Sequence, residues 1–436
     1  VVPVRDDQSR DPDHDNETQL LRLRANLHDL GTGLDTLPMM VDRVRRLLED
    51  RGNVQVFVAR LEQERDLELA MGWEWYDRVV SELADHLRGI LNTSLGASSL
   101  LCLEGVRTDE FIVFCADRHD AARLAGTLVE GISVEAADGV TAIHLPVRVG
   151  QGIVRLRAAQ RVERAVYGGV LEARHDALRQ GERLDAARRS DLRRILRDRG
   201  ISTVFQPIVN LDERSILGCE ALSRGPMGSY FEQAENLFGF AQRAAMLGEI
   251  EVLCLETALV SARPLRDSNV LFLNLSLEGL EFLEQTCGGL GRMVRQHGRE
   301  PENVVLEITE RTSAEDPALM VHRIAGLRRE GFRIAIDDVG TGYSALHVLA
   351  ELKPDFIKLD HLLVKDLDAE PIKQNLVSAV TRFAGESRAR VIAEGVERRQ
   401  EVEVLDDLGV DYIQGHYIAF PAPADQMAQP NWPDRG

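Results

Sequence analysis

Beyond residue 201 the chain alternates short apolar, mostly β-branched runs with longer stretches of helical character. The runs read STVFQPIV, SILGCEAL, NVLFLNLS, NVVLEIT, RIAID, DFIKL, RVIAE and DYIQG. Eight such runs separated by helices predict an α/β fold, a closed (β/α)8 TIM-like barrel over residues 200–436. Residues 28–160 mix the two periods on a smaller scale. They hold an apolar run at 54–59, a helical stretch at 73–91, a helix at 119–130 and a strand at 140–149. In SLLCLEGVRTDEFIVFC two apolar runs flank a polar turn, a hairpin pattern. Between these parts, residues 161–199 are dense in Arg, Glu and Asp and lack proline, which predicts a solvated helical linker. Leu20, Leu21, Leu27 and Leu30 fall near helical spacing, so a short amphipathic lead-in helix is expected after a polar, disordered tail, the two together filling residues 1–27.

Composition narrows the function. At 436 residues with 44% hydrophobic and 28% charged positions, the chain has material for two folded cores. Fifty-two basic against 71 acidic side chains give a net charge of −19, which repels nucleic-acid polymers and anionic membranes. A small anionic ligand fits such a surface only where bound cations reverse the local sign. Five scattered cysteines without a CxxC pair read as reduced core residues of a cytoplasmic protein. No apolar run approaches the roughly 18 residues that cross a bilayer. The start at Val1 leads to the expectation of a missing upstream sensor or anchor.

At or just past the end of nearly every barrel run stands a polar residue able to bind a metal: Glu220, Asn274, Glu307, Asp337 with Asp338, Lys358, Glu394 and Gln414. Each acid alone is most simply a helix cap or a loop residue. In a barrel, however, the strand ends meet on one rim and gather these residues into one cluster. Five carboxylates and an amide so crowded require cations, and all-oxygen ligands select hard ions such as Mg2+ or Mn2+. The Asp337-Asp338 pair suits two ions, the arrangement for attack of water on a phosphodiester. An aldolase-like or enolase-like barrel would also use acids, a lysine and magnesium, and the residue types leave that choice open.

The strings FQPIV, CEALSRGP, NLS, EITE, DDVGTGYS, KLD, AEGVE and QG occur in an order that closely resembles the EAL domain, the cyclic di-GMP phosphodiesterase family, over residues 201–421. The name motif is Glu220-Ala221-Leu222. The resemblance implies hydrolysis of cyclic di-GMP to linear pGpG with two ions. It places Glu220, Asn274, Glu307 and Asp337 on the first ion, and Asp337, Asp338 and Glu394 on the second. It gives Lys358 contact with the attacking water, and an amine beside two dications should have a lowered pKa. Gln414 stands near that water, Gln206 and Arg224 touch substrate, and Glu310 steadies the loop 338–344. It further implies a homodimer through the barrels. The alternative is a non-catalytic cyclic di-GMP receptor or scaffold signalling through protein contacts. Val339, Gly225, His416 and Phe420 depart from the usual pattern, but none of them is a ligand.

Over residues 28–160 the resemblance is to the GGDEF domain, the diguanylate cyclase family, on TDEFIVFC and on HDLGTGLDTLP from His28. Arg107 and Thr108 replace its paired glycines, and Arg60 stands where a metal-binding aspartate belongs. Ser98 and Leu101 replace its inhibitory Arg and Asp. These departures imply a catalytically inactive module that regulates the barrel or docks an upstream sensor or protein partner.

Overall fold

The computed structural model describes residues 27–61, 72–94, 99–105, 109–116, 132–135, 142–145, 147–157, 159–210, 212–265, 269–309, 317–340, 345–427 and 430–431. The chain divides into two compact units, Val1–Ala187 and Arg188–Gly436. The tail, most of the lead-in helix, the helix at 119–130, Ser98, Arg107, Thr108, Glu310 and residues 341–344 lie outside the described residues.

In the first unit, β1 (His28–Asp29) and β2 (Leu34–Asp35) form a hairpin. Residues 27–30 are therefore not the end of a helix. The Gly-Thr-Gly sequence at 31–33 turns the chain: Gly33 has φ 65°, and Asp29 Oδ2 accepts from the Thr32 N–H and hydroxyl, both at 2.8 Å. The main sheet comprises β3 (Asn53–Leu61), β4 (Ser99–Leu103), β5 (Phe111–Cys115) and, after the β6 (Ile132–Glu135) and β7 (Ala142–Leu145) hairpin, β8 (Val147–Arg155). It is antiparallel in the order β4-β5-β3-β8. The period of two along β3 sorts its side chains. Val54, Val56 and Val58 pack with Leu37, Met40 and Val44 of α1 (Leu37–Arg51), while Phe57, Ala59 and Leu61 pack with Tyr76, Val79 and Leu83 of α2 (Trp73–Ser94).

The charged segment is one helix, α3 (Val162–Asp198), and it is not solvated all round. Val166, Val170 and Ala173 join the first unit's core, and Leu192 and Ile195 pack with Phe231, Leu237 and Phe240 in the second. Close approach to β8 depends on Gly150, where a Cβ would lie 2.0 Å from the Ala173 carbonyl oxygen.

The second unit is a closed barrel of β9 (Ser202–Asn210), β10 (Ser215–Arg224), β11 (Val270–Asn274), β12 (Val304–Thr309), β13 (Arg333–Val339), β14 (Phe356–Leu359), β15 (Arg390–Ala393) and β16 (Tyr412–Ile413). Helices α4 (Ala234–Arg243), α5 (Leu247–Ser261), α6 (Leu277–Thr286), α7 (Leu290–Gln296), α8 (Pro317–Glu330), α9 (Ala345–Leu352), α10 (His361–Val364), α11 (Pro371–Ser387) and α12 (Arg399–Asp407) fall between the strands. One strand breaks the expected parallel order: β9 runs antiparallel to both β10 and β16. The link from Asn210 to Ser215 is too short for a crossover, so the pair closes as a hairpin. Consequently the amino half of β9, not its carboxyl end, reaches the rim, with Gln206 opposite Glu220.

A layer of Val270, Phe272, Val305, Ala335, Phe356 and Ile392 fills the barrel interior, with Phe272 and Phe356 edge to face at 5.3 Å. Adding two residues to Phe272, Val305, Ala335, Phe356 and Ile392 gives Asn274, Glu307, Asp337, Lys358 and Glu394. The pleat thus carries each polar residue onto the inner face one layer above an apolar one, so the core that closes the barrel also aims the site. The five cysteines are free, four of them buried. Among the described residues no helix is long and apolar enough to cross a membrane.

Candidate active site

Lys358, fully buried, projects from β14 into a ring of carboxylates. Its Nζ lies 2.5 Å from Glu394 Oε1, 2.6 Å from Glu307 Oε1, 3.2 Å from Asp337 Oδ1 and 3.4 Å from Glu220 Oε2. Asn274 Nδ2 donates to Glu220 Oε1 (3.1 Å) and Glu307 Oε2 (2.9 Å), tying β10, β11 and β12 together. Gln414 Nε2 donates to Glu220 Oε2 (2.7 Å) and Gln206 Oε1 (3.0 Å), and Gln206 Nε2 donates to the Ala419 carbonyl (3.1 Å). Arg224 ends β10 opposite Ser202, its Nη1 donating to the Ser223 carbonyl at 2.9 Å.

Asp337 and Asp338 are neighbours on one strand, and a regular pleat would send them to opposite faces. The register of β13 against β14 shifts by one residue between Ile336 and Val339, and Asp338 adopts φ 58°. This bulge turns both carboxylates toward one place, at a backbone conformation that aspartate tolerates better than most residues. Ligand oxygens of Asp337, Asp338 and Glu394 lie within 4.8 Å of one another. Beyond the bulge Gly340 has φ 123°, and a Cβ there would lie 2.3 Å from Leu363 Cδ1.

One ammonium cannot neutralise four carboxylates, and the charges show it. Burial pushes Glu307 well above the usual carboxylate range and the charge of Glu220 adds to this. Burial likewise raises Glu394 against the pull of Lys358. Glu220 is also buried, but Lys358 and the hydrogen bonds from Gln414 and Asn274 outweigh that and hold it low. Burial opposes the Lys358 charge, yet Asp337, Glu220, Glu307 and Glu394 keep its pKa well above the usual lysine value. This is opposite to the lowering expected beside two dications; without their charge the carboxylate ring dominates. The surplus of buried negative charge fits hard cations. So does Gln414 Oε1, a buried acceptor with no hydrogen-bond donor among the described residues.

Two supporting residues stand outside the set that the strand ends single out. Asp360, in the string KLD, is buried and interacts with the Asp338 carboxyl; burial works upward on it, but the His361 ring and the Leu362 N–H hold its pKa low. Glu251 on α5 reaches the loop after Asn274, where its Oε2 accepts from Ser276 Oγ at 2.7 Å. Ser276 in turn caps α6 by accepting from the Gly279 N–H. A cavity of about 50 Å3 lies between Glu251, Ser223 and Asn274.

Burial pushes the Glu251 carboxyl up to about 7. A carboxyl raised on folding contributes stability that is complete below its unfolded value and is lost as pH rises through the folded one. Between pH 4.5 and 7 the wild type should therefore lose about 3 kcal/mol relative to Glu251→Gln. Urea unfolding of both proteins across that range checks this, and parallel curves would refute it.

In the first unit Arg60 on β3 pairs with Arg148 on β8, placing two basic residues opposite each other where the GGDEF resemblance expects a metal-binding aspartate. Glu110 is held by Arg174 of α3 (Nε–Oε1 2.6 Å), which also pairs with Glu104, and Tyr76 donates to Asp109 at 2.5 Å. Among the described residues no metal-competent cluster of acids, histidines or cysteines forms in this unit.

A barrel with a cluster of carboxylates gathered on one rim, preceded by a smaller α/β unit, defines the class. Residues 189–421, more than half of the chain, match the EAL domain, and the chain belongs to that family. It is 26% identical over 442 residues to the bifunctional diguanylate cyclase/cyclic di-GMP phosphodiesterase MucR of Pseudomonas aeruginosa, across 93% of this chain and 62% of that protein. It is 36% identical over 151 residues to the probable cyclic di-GMP phosphodiesterase PdeA of Escherichia coli, across 34% of this chain and 21% of the relative. The chain thus spans less than two thirds of either relative. Among solved structures it resembles the EAL enzyme Bd1971 in its cAMP- and cyclic-di-GMP-bound form, with TM-score 0.50 and 25% identity over 65% of this chain and 81% of that one.

Proposed function

We propose that the protein hydrolyses cyclic di-GMP to linear pGpG with two divalent ions, Mg2+ or Mn2+, and that its first unit is an inactive, regulatory GGDEF-like module. The observation that carries this is the gathering of Glu220, Glu307, Asp337 and Glu394 around Lys358, with Asp338 turned into the same place by the bulge. Glu220, Asn274, Glu307 and Asp337 would hold one ion, and Asp337, Asp338 and Glu394 the other. A flip of the Asn274 amide exchanges its nitrogen for the oxygen this requires. When bound, such ions supply the charge that favours in-line attack of water on phosphorus and departure of the sugar oxygen.

The side chains do the rest. Lys358 Nζ, beneath the ligands, holds a proton and orients the attacking water, and Gln414 fixes the rotamer of Glu220 while its own oxygen faces no competing donor among the described residues. Gln206 and Arg224 contact the substrate, Arg224 through the donor fork that suits phosphate oxygens. Incubating the full chain with cyclic di-GMP and Mg2+ or Mn2+, then resolving the products by ion-exchange chromatography, tests the reading. Turnover should stop with EDTA and fall with Ca2+, whose longer and looser coordination misplaces the ligands. Binding without turnover would establish the receptor reading instead.

Charge reversal at Arg60 and the engagement of Glu110 by Arg174 support an inactive first unit. Labelled GTP with Mg2+ or Mn2+ should therefore yield no cyclic di-GMP. Any detectable synthesis would overturn that assignment.

A further inference from the structure

The rim residues assembled above are polar and suit a phosphodiester, whereas a cyclic dinucleotide also carries two flat purines. Beside the polar cluster lies a feature of the opposite kind. Phe420 is 69% exposed, and the imidazole of His416, also exposed, stacks on its ring with centroids 4.4 Å apart and planes 25° from parallel.

The backbone holding these rings is tied down on both sides. The Ala419 N–H donates to the Gly415 carbonyl at 3.1 Å, and Phe205 and Ala422 exchange two hydrogen bonds of 2.7 and 3.0 Å. The Ala419 carbonyl accepts from Gln206, which accepts from Gln414, which donates to Glu220. Phe420 is thus one residue from a chain of hydrogen bonds that ends on a carboxylate of the site. A pinned backbone with an untucked ring offers a rigid apolar face at the mouth of the barrel, and aromatic faces bind any base by stacking.

We propose that the His416–Phe420 pair is a stacking platform for one guanine base of the substrate, Phe420 making the contact and His416 holding its ring in place. This rests on cyclic di-GMP being the substrate. A basic side chain at position 420, which the family resemblance leads one to expect, would offer a charge to phosphate; the phenylalanine offers a surface to a base.

Steady-state hydrolysis by the full chain is the test. Phe420→Ala and Phe420→Leu should each raise KM about tenfold while kcat changes less than threefold, and Phe420→Trp should restore KM. Phe420→Lys should not restore it. A cyclic dinucleotide bearing 2-aminopurine, held with Ca2+ to suppress turnover, should lose fluorescence on binding wild type and retain it with Phe420→Leu. An unchanged KM in Phe420→Leu, with wild-type turnover intact, would overturn the platform alone. A wild-type chain that neither binds nor hydrolyses cyclic di-GMP would take down the proposed reaction and the platform with it.

Discussion

Glu220→Ala and Asp337→Ala will each lower hydrolysis of cyclic di-GMP on the order of a thousandfold. Each removes a carboxylate from the place where the reaction's charge must be balanced, and metal stabilisation of that charge amounts to several kcal/mol at about 1.4 kcal/mol per tenfold. Glu220 has further ties, since both its oxygens accept hydrogen bonds, from Asn274 and Gln414. Its loss should therefore also loosen the two amides, and added metal should recover little of the rate. Metal titrations of activity and isothermal calorimetry with Mn2+ check both parts. Either variant retaining more than a tenth of wild-type turnover would exclude a two-ion site built on these residues.

Lys358→Met will have the second large effect, on stability in EDTA. Removing the one ammonium from among four carboxylates leaves buried charge without its partner, a loss of about 3–5 kcal/mol, or about 10 °C in melting temperature for a unit of this size. The sign with pH follows from the shifts. Lys358 is raised on folding, so its contribution persists through neutral pH; Glu307 and Glu394 are raised too, so they destabilise increasingly as pH rises. The loss should accordingly grow as pH rises and those carboxyls give up their protons. Millimolar Mg2+ should return more of the melting temperature to the variant than it adds to wild type. Equal melting curves for both proteins in EDTA would show that the ammonium does not hold the ring together.

Much of this site is legible in the sequence, because barrel strands are buried on both faces and announce themselves as short apolar runs. A polar residue closing each run is conspicuous there, and the inner layer of Phe272, Val305, Ala335, Phe356 and Ile392 explains why the counting works. What could not be read is what departs from the pleat. Strict alternation would separate Asp337 from Asp338, and only the bulge and the positive φ of Asp338 unite them. The reversal of β9 left a trace in the few residues between Asn210 and Ser215, too few for a crossover, but the parallel pattern of the other seven strands masked it. Glu251 acts through Ser276, far from it in sequence, which no local spacing reports, and Asp360, although it closes the KLD string, meets Asp338 only through the fold.

The helix Val162–Asp198 bears on how the protein can be taken apart. The boundary between the units falls at Ala187, inside this helix, and the residues beyond it already serve the barrel: Leu192 and Ile195 are buried with Phe231, Leu237 and Phe240. A fragment begun at residue 196, a natural choice if the charged segment were a passive tether, would be born with a hole in its wall and two aromatic rings opened to water. Any dissection of the catalytic half, and any natural exchange of its front end for another, has to cut upstream of Arg188 and carry the last turns of the helix along.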